Sequence, residues 1–425
     1  MHKIALVTLG CPKNQVDSDD LAYKISSAGL VITDNAEEAD TFIINTCCFI
    51  DDAKKESIET ILDLSSHKKD DARLIVMGCM GQKYRKDIEE DLPEVDRVFG
   101  VQDHDKVINY LRSRIGSADF SEVSTLKHAQ SFEYVKIADG CNRTCSFCVI
   151  PSIRGRFRSI ERDSIIEKAK RHISTGAKEL ILIAQDITGY GRDATGSLRD
   201  LVNEISQVNG DFRLRLLYLY PTGITNELIS TIRDNDRVCS YFDIPFQHIH
   251  NDILKAMSRA YTSDQVREII YKIKKEIPNA ALRTTLITGF PGEENEHHEA
   301  LMNFVKETEF DRLGVFKYSP QEDTASAKMK GQVPDHIKDE RFDEIMSLQA
   351  GISYELNKKL KGEVFSALVD DIDEGTGIAR LESQAPEIDG AVMIDECPEK
   401  LKGEFINVRI NEAYEYDLKG EIANE

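Results

Sequence analysis

GCNRTCSFCVIP, residues 140–151, decides how this chain is read. Its cysteines, Cys141, Cys145 and Cys148, have CxxxCxxC spacing. Three thiolates on one short loop can hold three corners of a 4Fe–4S cube and leave the fourth iron without a ligand from the loop. Electron-transfer ferredoxins close their clusters with a fourth cysteine. An open iron can instead take a substrate or cofactor, as open metal positions do in catalysis. A structural zinc site would pair one CxxC with a second, or with two histidines at ligand spacing. The chain offers no such partner pair.

Working outward, the loop follows the first of six strand-like runs, at 132–138, 179–185, 213–219, 241–246, 282–288 and 312–318. Helical patterns such as SIIEKAKRHIST separate them, so they read as β/α units. The loop then lies at the carboxyl end of a barrel strand, where barrel active sites are built. Upstream, residues 1–115 alternate IALVTL, TFIINT, RLIVMG and RVFGV with amphipathic helices, the pattern of a doubly wound α/β domain with a parallel sheet. Downstream, a long helical pattern at 335–360 precedes short alternating runs with Gly and Asp turns over 362–425, which read as a small antiparallel β-barrel. Residues 116–130 are polar and weakly patterned, as in a linker. The expected domains are 1–115, 131–357 and 358–425.

Cys11, Cys47 and Cys79 each stand just past one of the N-terminal strands. In a parallel sheet all three emerge at the carboxyl edge, where ligands bind. Two readings stand at this point: a second three-thiolate metal centre, or three buried structural thiols. Cys48, Cys239 and Cys397 have no partners at ligand spacing and read as ordinary thiols. Arg154, Arg156 and Arg158 recur at every second position after the loop, suited to holding an anionic substrate or tuning that loop's cluster potential, or else to a solvated basic strand or loop. GFPGE (289–293) is a rim turn without the lysine of a P-loop. His248 and His250 in FQHIH read as packing or surface residues rather than ligands.

Nine cysteines, an odd number, do not suit an extracellular disulfide framework. No apolar run reaches transmembrane length. IALVTLG near the N-terminus fits a first strand better than a signal peptide, and a cytoplasmic protein is expected. The net charge of −21 argues against nucleic-acid binding driven by overall charge. From Lys361 to Glu425 there are 6 Lys/Arg and 17 Asp/Glu, a balance of −11. That segment would repel phosphates and suits a basic protein partner, or serves solubility alone.

With Phe147 just before its last cysteine, the loop resembles that of the radical S-adenosylmethionine (SAM) enzymes. In that superfamily the open iron binds the amino and carboxylate groups of SAM, and the reduced cluster cleaves SAM to a 5′-deoxyadenosyl radical. The resemblance implies these roles for Cys141, Cys145 and Cys148, and a place beside the cofactor for Phe147. The six β/α units resemble the partial (β/α)6 barrel of the same superfamily. TLGCPKNQVDS (8–18), IINTCCFI (43–50) and VMGCM (76–80) resemble the N-terminal domain of the methylthiotransferases. GCNRTCSFCVIPSIRGRFRS, YFDIPFQH and LRTTLITGFPGE resemble their core motifs, and the terminal barrel sits where that family carries its TRAM domain.

The resemblance implies that Cys11, Cys47 and Cys79 bind a second 4Fe–4S cluster, which presents sulfur methylated by another SAM to a substrate carbon radical. Members mostly have Gly after the middle cysteine. Here it is Cys48, so either of the pair is open as the ligand, and the motif alignment favours Cys47. The basic run ends Arg-Ser-Ile where many members have Arg-Ser-Arg, so no role is carried to Ile160. The CPKN form resembles the branch that methylthiolates an aspartate β-carbon in small-subunit ribosomal protein number twelve. The branch acting on tRNA isopentenyl-adenosine usually has a Gln-Met-Asn form there. The expected partners are that basic protein or the small subunit, and an electron donor such as a flavodoxin or ferredoxin, with no membrane and no nucleic-acid substrate. A tRNA methylthiotransferase and a non-catalytic iron–sulfur carrier are the alternatives.

Overall fold

The structure, a computed structural model, describes residues 2–114, 130–194 and 196–423. The expected linker, 116–130, lies outside them apart from Gln130. The chain forms two compact units. The first comprises 1–127 with 140–142 and 148–156, and the second comprises the rest.

The first unit runs β1 (Lys3–Thr8), α1 (Pro12–Ser27), β2 (Val31–Ile32), β3 (Thr41–Thr46), α2 (Asp51–His67), β4 (Arg73–Met77), α3 (Gly78–Lys83), α4 (Arg85–Asp91), β5 (Arg97–Val98) and α5 (His104–Arg114). Its sheet is parallel throughout, in the order β2-β1-β3-β4-β5. Successive side chains of a strand face opposite sides. Phe42 and Ile44 join one apolar cluster while Ile43 joins another, so both faces are covered. This explains why β3 reads as an unbroken apolar run rather than an alternating one. Past β4 the helical stretch is two helices, α3 and α4, broken at Tyr84. Helix α6 (Ile150–Arg154), just past the cysteine loop, belongs to this unit, with Val149 and Ile153 in the same cluster as Phe42.

The second unit begins with β6 (Phe132–Lys136), β7 (Ala138–Asp139), β8 (Arg158–Ser159), α7 (Arg162–Ser174), β9 (Glu179–Ile183), α8 (Leu198–Ile205) and β10 (Arg213–Leu216). It continues with α9 (Asn226–Arg233), β11 (Tyr241–Asp243), α10 (Asn251–Ala256), α11 (Ser263–Glu276), β12 (Ala281–Thr288), α12 (Asn295–Thr308), β13 (Arg312–Lys317) and α13 (Asp335–Lys358). The strands form two parallel triplets, β6-β9-β10 and β11-β12-β13, joined by a bridge from Leu214 to Val238. These are the six expected β/α units of an open barrel.

Past α13, β14 (Val364–Asp373), β15 (Thr376–Leu381), β16 (Val392–Ile394), β17 (Phe405–Ala413) and β18 (Leu418–Ile422) close a five-stranded barrel. Four of its strand pairs are antiparallel. The β16–β18 pair is parallel, because the chain crosses to pair β17 with β14 before β18 returns beside β16.

The small barrel is fastened to the amino ends of the core strands. Glu179, first residue of β9 and fully buried, receives Arg213 Nη2 at 2.7 Å, Arg215 Nε at 2.6 Å and Arg380 Nη1 of β15 at 2.9 Å. Arg380 also pairs with Asp370. Tyr241 donates to Asp389, and Tyr134 donates to Glu387 at 2.8 Å. Several acidic residues of the barrel are therefore spent on docking. Asp370, Glu382, Glu387, Asp389 and Glu404 all face core partners, so the usable surface charge is smaller than the composition suggests.

Candidate functional site

Cys11 is the N-cap of α1, Cys47 follows β3, and Cys79 is the second residue of α3, just past β4. The registers Thr8↔Asn45 and Asn45↔Met77 level the ends of β1, β3 and β4. The three cysteines therefore leave the sheet at one carboxyl edge. Gly10 has φ +91°, and a Cβ there would meet Cys47 Sγ at 2.8 Å, so only glycine lets the chain beside Cys11 come this close to Cys47. Asn14, fully buried, donates from Nδ2 to Leu9 O (2.9 Å) and Thr46 O (3.1 Å), tying the ends of β1 and β3 together. Its Oδ1 accepts from Cys79 Sγ at 3.6 Å. This is what the asparagine of the CPKN motif does.

Cys48, the next residue, is fully buried in an apolar cluster with Phe42, Ile44 and Cys79. Burial, then the charge of Cys47, pushes its thiol up to about 12. Burial likewise raises Cys47, and the neighbouring Cys11 adds to the rise. Cys79 is pushed up to about 12 by burial, against the pull of Arg154. Of the three alternating arginines, Arg156 and Arg158 are exposed and Arg154 is buried. Arg154 Nη2 reaches Asn14 Oδ1 (2.7 Å), Asp17 Oδ2 (2.9 Å) and Cys79 Sγ (3.7 Å).

Backbone and side-chain contacts hold the CxxxCxxC loop. Gly140, at φ +76°, leaves room for Arg156 O, which a Cβ would meet at 2.3 Å. Cys141 N donates to Gly155 O (3.1 Å), and Ile150 N donates to Cys148 Sγ (3.4 Å). In the second unit, Ser146 N donates to Met257 O (3.0 Å) and its hydroxyl to Ala256 O (2.8 Å). Phe147 packs edge-to-face on Phe290, at 6.4 Å between centroids. Arg259 Nη1 lies 3.3 Å from Cys145 Sγ, while its other nitrogens are fixed by Tyr261 Oη and Pro245 O, both at 2.6 Å. Arg143 stacks 3.7 Å over Tyr220 and pairs with Asp186 at 2.9 Å.

Sequence reading had no signal for Arg259, or for the contact of Arg154 with Cys79. Neither residue is near its partner in the chain. Glu293 of GFPGE is buried and accepts from Gly289 N (3.0 Å) and Arg341 (2.9 Å), so it fixes the turn instead of facing a phosphate. His250, Asp252 and His297 bring ligand-type atoms within 4.8 Å of one another. Both imidazoles accept main-chain N–H groups at Nδ1, from Asp252 and Glu294. The neutral rings therefore carry their protons on Nε2 and serve as helix caps.

The donor sets suit iron–sulfur clusters. Each is three soft thiols with one guanidinium against a sulfur, half-buried for Arg259 and buried for Arg154, which offsets the negative charge that thiolate ligation brings.

Comparison with known proteins assigns each part of the chain to a family. Residues 135–305 match the radical SAM superfamily, 362–423 the TRAM domain, and 3–100 a family described as "Uncharacterized protein family UPF0004". The fold is shared with the radical SAM methyltransferase TsrM from Kitasatospora setae (TM-score 0.57, 13% identity, 86% of this chain and 81% of that one). It is also shared with the cobalamin-dependent radical SAM enzyme OxsB (TM-score 0.53, 10% identity, 82% and 56%). Fold and loop together define a radical SAM enzyme with a C-terminal TRAM domain. Among curated relatives, the ribosomal protein uS12 methylthiotransferase RimO of Thermodesulfovibrio yellowstonii is 44% identical over 99% of this chain and 100% of its own. That of Geotalea uraniireducens is 43% identical over 99% and 98%. The chain belongs to the RimO methylthiotransferase family. Among the described residues no helix is long and apolar enough to cross a membrane.

Proposed function

We propose that this protein transfers a methylthio group to the β-carbon of an aspartate in ribosomal protein uS12. The observation that carries the reading is the full-length likeness to RimO enzymes, at 40–44% identity across all three domains. In this reading the domains are 1–115, 131–357 and 358–425, and the enzyme works in the cytoplasm with a flavodoxin or ferredoxin as electron donor. Cys141, Cys145 and Cys148 hold one 4Fe–4S cluster, with Phe147 beside SAM. Cys11, Cys47 and Cys79 hold the second. When bound, the first cluster with SAM supplies a radical that removes hydrogen from the substrate carbon, and the second supplies the sulfur.

The chain's own residues have separable tasks. Arg259 orients Cys145 and keeps a positive charge against it. Ser146 and Phe147 clamp the loop to α10 and to the GFPGE turn, whose shape Glu293 fixes. Asn14 and Gly10 set how closely the first triplet gathers. Glu179 and its three arginines hold the TRAM barrel at the amino ends of the core strands, clear of the carboxyl rim.

The test is mass spectrometry of uS12 and of tRNA after reaction with the anaerobically reconstituted protein, SAM and reductant. A methylthio adduct on uS12 is expected. An adduct on tRNA, or reductive SAM cleavage with neither product, overturns the reading.

A further inference from the structure

We infer that Arg154 is a positioning residue of the N-terminal cysteine centre, setting its charge and its reduction potential. The inference rests on the reading of Cys11, Cys47 and Cys79 as cluster ligands. Arg154 lies six residues past Cys148, in a segment whose sequence belongs with the other cysteine loop, yet it is packed within the first unit. Its side chain is 1% exposed and its ion-pair partner Asp17 is 4% exposed. A buried guanidinium needs paired acceptors. Here the acceptors are Asn14 Oδ1 at 2.7 Å and Asp17 Oδ2 at 2.9 Å, and the same nitrogen reaches Cys79 Sγ at 3.7 Å. Asn14 in turn touches Cys79 and ties together the strand ends behind Cys11 and Cys47.

A positive and a negative side chain therefore stand in series behind one sulfur. Hydrogen bonds and charge around cluster sulfurs are among the levers that set potential. The guanidinium stabilises the more negative, reduced cluster. The Asp17 carboxylate partly cancels it. A purely structural role would make both residues matter for folding. It would not give them opposite signs at the cluster.

The experiment uses full-length protein with Cys141, Cys145 and Cys148 replaced by Ala, so that only the N-terminal centre is loaded. Iron per chain, the midpoint potential from EPR-monitored dithionite titration, and the rate of iron loss to a chelator are measured. Arg154→Met should shift the reduced-to-oxidised ratio at fixed potential at least tenfold toward oxidised, about 59 mV for one electron, and speed iron loss severalfold. Arg154→Lys should restore most of the potential. Asp17→Asn should shift the ratio the other way. Should Arg154→Met fail to fold or load, Arg154→Lys and Asp17→Asn still carry the test through the sign of the Asp17→Asn shift. Equal potentials in the parent and Asp17→Asn, or a shift of the same sign in Asp17→Asn and Arg154→Met, overturn the inference. A parent variant that takes up no iron overturns the second-cluster reading itself.

Discussion

Replacing Glu179 by Gln should loosen the TRAM barrel from the catalytic core. The carboxylate is fully buried and is the common acceptor of Arg213, Arg215 and Arg380, at 2.6–2.9 Å. Gln keeps the volume and removes the charge, leaving three guanidiniums close together, with Arg380 keeping only Asp370 as its acidic partner. Breaking a buried ion pair by removing one partner costs about 3–5 kcal/mol. At roughly 2 °C per kcal/mol for a unit of this size, the transition of the second unit should fall by about 6–10 °C. Calorimetry on iron-free protein measures it, and limited proteolysis near Lys358–Val364 reports release of the barrel. The pH dependence gives an independent check. Burial alone would raise this carboxyl, but the charges of Arg213, Arg215 and Arg380 outweigh it and hold the group below the ordinary glutamate range. A depressed folded value means stability that is present above the unfolded pKa of about 4.3 and is lost as pH falls below it. Glu179→Gln should therefore flatten the acid limb of the stability curve. Pairing it with Arg380→Met should recover part of the loss, because the uncompensated charge is removed too. A loss under about 1 kcal/mol, set against that 3–5 kcal/mol expectation, or strict additivity of the two substitutions, would refute the docking argument.

Other outcomes follow from the cysteine centres and the barrel surface. Cys47→Ala should halve iron from about eight per chain, at four per cubane, while Cys48→Ala leaves the count unchanged. The reverse order, read by iron assay, would move the ligand to Cys48. Arg259→Met removes a charged contact worth about 1.5–3 kcal/mol. It should slow reductive SAM cleavage on the order of ten- to a hundredfold, with Arg259→Lys intermediate, and an unchanged deoxyadenosine yield would exclude the role given to Arg259. Asp370→Lys should destabilise the protein, since Asp370 pairs with Arg380 and accepts from Ser131. The exposed pair Asp373→Lys and Glu374→Lys should instead weaken salt-sensitive binding to uS12 without changing the melting temperature. Binding by that double variant that stays tight and indifferent to salt would show that the barrel's charge serves only solubility.

The parts of this protein legible in its sequence are those that local chain geometry dictates. CxxxCxxC spacing places three thiols on one loop whatever surrounds it. Period-two and period-3.6 patterns marked the strands and helices, and the position of Cys11, Cys47 and Cys79 just past strands put them at one sheet edge, since parallel strands share a direction. What the sequence left open was decided by contacts distant in the chain. Cys47 and Cys48 are indistinguishable by composition. The fold buries both, and Cys48 shares an apolar cluster with Phe42, Ile44 and Cys79. Arg154, Arg156 and Arg158 look alike, yet α6 packs its end inward and buries only the first, against Asp17 and Cys79. Arg259 stands 114 residues from Cys145 and meets it through the fold. Asp370 reads as a surface acid until Arg380 and Ser131 claim it. In each case the deciding quantity is burial of a polar or charged group, whose energy depends on which partners the tertiary structure brings within hydrogen-bond distance, and no local pattern encodes that.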